Sequence, residues 1–145
     1  MSAESRSRVV FKLTDVPLIE SPDGTMRDSV MVTSETCGAQ QYTAGLFWVR
    51  PRGRGHADKH PGLEEIYYII EGRGTVVIDD RPHAIEAGDV VHIPDGSTHY
   101  LANDGHEPLG LFWLIPRSWN GLPSIQKELG RWRSVDPDTE FATRQ

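Results

Sequence analysis

The residues able to do chemistry are concentrated between positions 53 and 103. That stretch holds five of the six histidines, His56, His60, His83, His92 and His99, and the adjacent acids Glu64 and Glu65. Neutral imidazole suits Zn, Fe, Ni and Cu, so the cluster reads as a metal site. Residues of like parity share a face of an extended strand. His56, Asp58 and His60 then point one way, with Glu65 five residues further on. His92 and His99 flank the turn Pro94-Asp95-Gly96. A hairpin of strands 90–93 and 98–102 would bring those two imidazoles together on its inner face.

Each residue also has a plainer reading. A lone histidine is ordinarily a surface or hydrogen-bonded residue, and His83 and His106, in polar turns, are read that way. Asp58 and Glu64 are read as solvated, or as neighbours of the ligands. Tyr67 and Tyr68 are ordinary strand residues. Phe47, Trp48, Phe112 and Trp113 are read as core, one of each adjacent pair pointing in and the other out.

The elements that must carry these residues are short strands. Strands are expected at 8–13, 29–36 and 42–50, the last apolar on both faces. Ile66–Glu71 and Thr75–Asp79 around Gly72-Arg73-Gly74 predict a hairpin. Further strands are expected at 83–86, 90–93, 98–102 and 109–115, broken by Asp79–Pro82, Ala87–Asp89, Pro94–Gly96 and Pro116. Ser124–Leu129 reads as one or two helical turns, with Ser124 as N-cap and Gly130 as stop. Residues 1–7 are polar and expected to be frayed, and the segment after the helix reads as a tail or partner contact. Strands recurring every 8–12 residues indicate a sandwich or barrel.

Composition narrows the classes. A chain of 145 residues is one domain by length and buries about two-thirds of its unfolded surface, enough to enclose a cavity. Net charge is −6 with no basic block, which argues against nucleic acid and anionic membranes as partners. A single cysteine, Cys37, rules out an internal disulfide framework and fits a reducing, cytoplasmic setting. The first residues lack the apolar segment of a secretory signal, and no apolar run approaches 18 residues.

The same stretch resembles the cupin superfamily. Its second motif, G-x5-P-x-G-x2-H-x3-N, fits at Gly88, Pro94, Gly96, His99 and Asn103. Its first motif, G-x5-H-x-H-x3,4-E-x6-G, fits at His60, Glu65 and Gly72 and departs at Asp58, where a histidine is expected. The resemblance implies an all-β, single-domain jelly-roll β-barrel or sandwich over residues 1–145, with a short C-terminal helical segment within 116–145. It implies six to eight strands, a homodimer, and one divalent metal held by His60, His99 and Glu65. The departure leaves three routes open: Asp58 ligates, His56 reaches in from the loop, or His92 supplies the imidazole. The extra histidines favour a site of His56, His60, His92 and His99, with Glu65 beside it.

Within cupins the chain looks like the small polyketide cyclases of the tetracenomycin and resistomycin type, on its single-cupin length and the segment L-F-W-L-I-P-R-S-W-N-G. That likeness implies aldol closure and dehydration of a hydrophobic or aromatic poly-β-ketone in antibiotic biosynthesis. A Zn²⁺ ion, with Fe²⁺, Ni²⁺ or Mn²⁺ as alternatives, would polarise a carbonyl. Glu65, or metal-bound hydroxide, would remove a methylene proton. Tyr67 or Tyr68, whichever faces inward, would donate to an oxygen, and Tyr67 is taken as the catalytic one. An Fe(II) dioxygenase and a non-catalytic small-molecule-binding cupin are the alternatives.

Overall fold

The computed structural model describes residues 8–59, 61–116 and 130–141. Residues 8–12 are irregular rather than a strand, and Leu13–Asp15 forms a 3-10 turn. The strands are β1 (Leu18–Glu20), β2 (Met26–Val32), β3 (Tyr42–Val49), β4 (Asp58–Lys59), β5 (Glu65–Glu71), β6 (Arg73–Ile78), β7 (Arg81–Glu86), β8 (Val90–Ile93), β9 (Thr98–Ala102), β10 (Leu109–Pro116) and β11 (Arg133–Ser134). They form two antiparallel sheets, one ordered β11-β1-β2-β3-β10-β5-β8 and the other β4-β9-β6-β7. The expected helix at Ser124–Leu129, Trp119 and the frayed residues 1–7 lie outside the described residues.

One short helix, α1 (Ser34–Cys37), follows β2 where a strand is expected to continue to residue 36. The Thr33 hydroxyl accepts from the backbone N–H groups of Glu35 and Thr36, and the Thr36 hydroxyl accepts from the N–H of Thr33 at 2.9 Å. This reciprocal cap starts a turn despite the β-branched residues. Gly38, at φ 79°, ends it in the left-handed region.

The closed jelly-roll barrel is corrected. The sheets are open: β11 and β8 are the edges of the larger, β4 and β7 of the smaller, and no ladder joins the two among the described residues. The physical reason lies in the corners that carry the chain between sheets, two of which stand where hairpins are expected. At Gly72 it leaves β5, which pairs with β10 and β8, and enters β6, which pairs with β7 and β9. The expected hairpin of β5 and β6 is therefore a crossing. Gly72 has φ 76°, and a Cβ there would collide with the Pro108 carbonyl oxygen, so only glycine fits. At Pro94–Gly96 the chain leaves β8 for β9, and again the two flanking strands lie in different sheets.

The sheets face each other across one apolar core. Val49, Tyr67, Ile69, Val91, Ile93, Leu109, Leu111, Trp113 and Ile115 come from the larger sheet, and Val76, Ile85 and Leu101 from the smaller. Burying one such aliphatic side chain stabilises the fold by about 1.5–3 kcal/mol. The far edge of the larger sheet is tied down by charge instead. Buried Glu20 on β1 accepts from Arg27 on β2 at 2.8 Å and from Arg133 on β11 at 2.7 Å. The Arg27 guanidinium also donates to the carbonyls of Thr139 and Glu140 and stacks on Phe141, so residues 139–141 pack against their own sheet. No helix among the described residues is long and apolar enough to cross a membrane.

Candidate active site

Strict alternation along β5 sorts its side chains. Glu65, Tyr67 and Ile69 are buried on the inner face, and Ile66, Tyr68 and Ile70 are exposed on the outer. Across the core, β9 turns His99 inward, buried beside Leu101. Register places Asp58 of β4 opposite His99. Two strands thus deliver a carboxylate, a phenol and an imidazole to one interior point, and a third, β4, sets Asp58 next to them.

His99 Nε2 lies 3.3 Å from Glu65 Oε1, and its Nδ1 is 3.3 Å from the Ser97 carbonyl oxygen. A carbonyl only accepts, so Nδ1 carries a proton and Nε2 faces Glu65. The Tyr67 hydroxyl is hydrogen-bonded to Glu65, and its ring meets the His99 ring edge-on, with centroids 6.4 Å apart. Burial pulls the His99 pKa down. The Glu65 hydrogen bond and charge, the Ser97 carbonyl and the Asp58 charge outweigh it, so the net shift is upward. Tyr67 is pushed well above the usual phenol value by burial, then by the charge and hydrogen bond of Glu65 and the charges of Asp58 and Asp28. It is a hydroxyl donor at neutral pH.

The histidine-rich metal site is corrected. Among the described residues no group of three or more His, Cys, Asp or Glu side chains is placed to hold a metal ion. His92 is not beside His99, because β8 pairs with β5 while β9 pairs with β4 and β6. Val91 and Ile93 take the inner positions of β8 and turn His92 outward, where its Nε2 meets Glu64 Oε1 at 2.9 Å. His56 is exposed in the loop before β4 and interacts with Asp23. His60 lies outside the described residues. The described residues therefore do not fit the expected zinc-binding set, and what they assemble is a cluster of proton donors and acceptors.

The second motif proves to be mainly a scaffold. Asn103, fully buried, donates to the carbonyls of Val49, Arg50 and Glu107 and accepts from the N–H of Gly105. Gly88 and Gly96 occupy positive φ. Pro94 closes the turn by accepting from the Ser97 N–H at 3.2 Å. These positions aim His99 and take no part in its chemistry. One interior residue is invisible to motif reading. Asp28 of β2 is buried and accepts from Trp113 Nε1 at 3.1 Å. Its only sequence signal is an acid next to the expected strand at 29–36, which reads equally well as an outward-facing residue.

Comparison with known proteins extends this geometry. Residues 45–115 match the cupin domain family. SchB of Streptomyces halstedii is 33% identical over 102 residues, covering 70% of this chain and 72% of SchB. The polyketide synthase CurC of Streptomyces cyaneus is 34% identical over 87 residues, 59% of this chain and 56% of CurC. An uncharacterised Methanocaldococcus jannaschii protein is 43% identical over 51 residues, covering 35% of this chain and 41% of its own length. The chain thus spans about half the length of these last two relatives. Among solved structures, the polyketide cyclase RemF of Streptomyces resistomycificus superposes with a TM-score of 0.65 at 18% identity, over 83% of this chain and 98% of RemF. A predicted oxalate decarboxylase of Thermotoga maritima gives 0.65 at 22% identity, over 74% of this chain and 98% of that one. Those two structures share the fold. With the cupin match, the His99–Glu65 pair at the motif positions and the breadth of the SchB match, the chain belongs to the cupin superfamily.

Proposed function

We propose that the protein is a polyketide cyclase, closing a ring in a poly-β-ketone by an intramolecular aldol step and loss of water. The observation that carries the reading is the buried Glu65–His99–Tyr67 cluster, in a chain related to SchB and to the polyketide synthase CurC. A methylene between two carbonyls is acidic enough for a positioned carboxylate to deprotonate. Glu65 takes that proton. The resulting enolate carbon attacks a second carbonyl carbon of the same chain, forming the C–C bond. Tyr67 donates a hydrogen bond to the enolate oxygen, and His99 Nε2 stays beside Glu65 and holds it in place. Ile69, Val91 and Ile93 pack in the same apolar core and keep water from it, which strengthens each of these interactions.

The test is turnover of a synthetic poly-β-ketone thioester, followed by chromatography of the cyclised product. Glu65→Gln keeps the hydrogen-bonding shape and removes the base, so kcat should fall about 10²–10⁴-fold. Activity within about threefold of the parent would remove Glu65 from the chemistry. Binding without any turnover by the parent would replace catalysis with carriage of the ligand. Sedimentation velocity on the same sample reports whether the homodimer implied by the cupin resemblance forms.

A further inference from the structure

We propose that Asp28, on the inner face of β2, is the acid of this site, an uncharged carboxylic acid that gives its proton to the substrate oxygen opposite the base Glu65. The proposal rests on the cyclase reading for its substrate and on an independent arrangement for its acid. Asp28 lies two strands from β10 in the order β2-β3-β10-β5. Trp113 of β10 reaches it by laying its indole across β3, at the one position with no side chain. Register pairs Trp113 with Gly45, and a Cβ on Gly45 would stand 2.8 Å from Trp113 Cζ2 and 2.9 Å from Cε2. Glycine there opens the path along which Trp113 Nε1 donates to Asp28 Oδ1 at 3.1 Å.

The indole is a donor only, so it anchors one oxygen and fixes the plane of the carboxyl. Trp113 Nε1 is the hydrogen-bond donor that reaches the Asp28 carboxyl from among the described residues. Among the described residues no cation offsets a charge on Asp28. Its neighbour Arg27 faces away and is held by Glu20 and two backbone carbonyls. Among the described residues the ionisable groups around Asp28 are Glu65 and Tyr67 from β5, Asp58 from β4 and His99 from β9, and His99 is engaged with Glu65. Burial therefore dominates. It pushes the Asp28 pKa up to about 8, against the pull of the Trp113 N–H and with the help of the Glu65 charge.

Two carboxyl groups in different surroundings divide acid and base work between them. In ring closure Glu65 takes the methylene proton, the C–C bond forms, and the attacked carbonyl oxygen takes the Asp28 proton to become a hydroxyl. Exchange with solvent restores both groups. In dehydration Glu65 takes a second α-proton, the C–O bond breaks, and Asp28 protonates the departing hydroxyl, which leaves as water.

The experiment combines Asp28→Asn with infrared spectroscopy of the full-length protein. Asparagine keeps an acceptor for Trp113 and has no proton to cycle. The expected result is a fall in kcat of about 10²–10⁴-fold with KM little changed. The parent should also show a protonated-carboxyl C=O band at pH 6 that is lost in Asp28→Asn, and that shifts on adding acetylacetone, a simple 1,3-diketone. Trp113→Phe moves the same band by removing its hydrogen bond, so the acid is testable even if Asp28→Asn does not fold. An absent band, a band indifferent to both acetylacetone and Trp113→Phe, or Asp28→Asn activity within about threefold of the parent overturns the proposal. If the parent turns over no polyketone, the cyclase reading alone falls, and the response of the band to the diketone still decides the acid.

Discussion

The two faces of β5 carry nearly the same residues and live in different physics. Inside stand Glu65, Tyr67 and Ile69; outside stand Ile66, Tyr68 and Ile70, with Glu64 just before them. Tyr67 is 8% exposed and Tyr68 47%; Ile69 is fully buried and Ile70 41% exposed. Each face also has a histidine–glutamate pair. His99–Glu65 is enclosed, with side chains 5% and 10% exposed, whereas His92–Glu64 is open at 59% and 66%. The outer pair is the shorter, 2.9 Å against 3.3 Å, yet water screens it to a contribution of about 0–1 kcal/mol. Distance does not make the inner pair a site. Removal from water does, because the interior leaves each charge dependent on its neighbours and shifts their protonation.

The isoleucines give the largest expected contrast. Ile69→Ala opens a cavity in the core and should lower the unfolding free energy by about 2–5 kcal/mol in urea titration, while Ile70→Ala should change it by less than about 1 kcal/mol. Equal effects would mean that the outer face is covered as completely as the inner. The tyrosines come next. Tyr67→Phe deletes the hydroxyl on Glu65 and should slow turnover about 10–100-fold. Tyr68→Phe should leave it within about twofold. A reversal would put the reacting groups on the wrong face of the strand.

The histidines give the smallest contrast, read through pH. His99 has its folded pKa raised above the ordinary 6.5, so its protonated form is favoured by folding. That stabilisation is fully present below about pH 6.5 and is lost as pH rises through the folded value. Asp28, raised from 3.8 to about 8, acts in the same direction but starts earlier, with stability falling from about pH 4 up to about pH 8. His99→Gln should therefore flatten the stability profile only above about pH 6.5. His92→Gln, which removes an exposed ion pair, should change the unfolding free energy by less than about 1 kcal/mol. A profile in which His92→Gln matches His99→Gln would abolish the distinction between the pairs.

Local sequence determined much of this molecule. The strands at 90–93 and 98–102 are read to the residue, because apolar alternation and the Pro94–Gly96 break are local signals. Glu65 and His99 are legible from motif spacing, and Asn103 and Gly96 from the turns they build. Tertiary pairing decided the rest. Strands 66–71 and 75–79 look like a hairpin, as do 90–93 and 98–102, and in both cases the partners lie in different sheets. A turn signal states where the chain reverses and says nothing about which strand it then pairs with. That single fact sends His92 to the surface and leaves the sheets open. Asp28 is decided in the same way: its acidity depends on an indole two strands away, reached over a glycine, and no spacing along the chain encodes that contact.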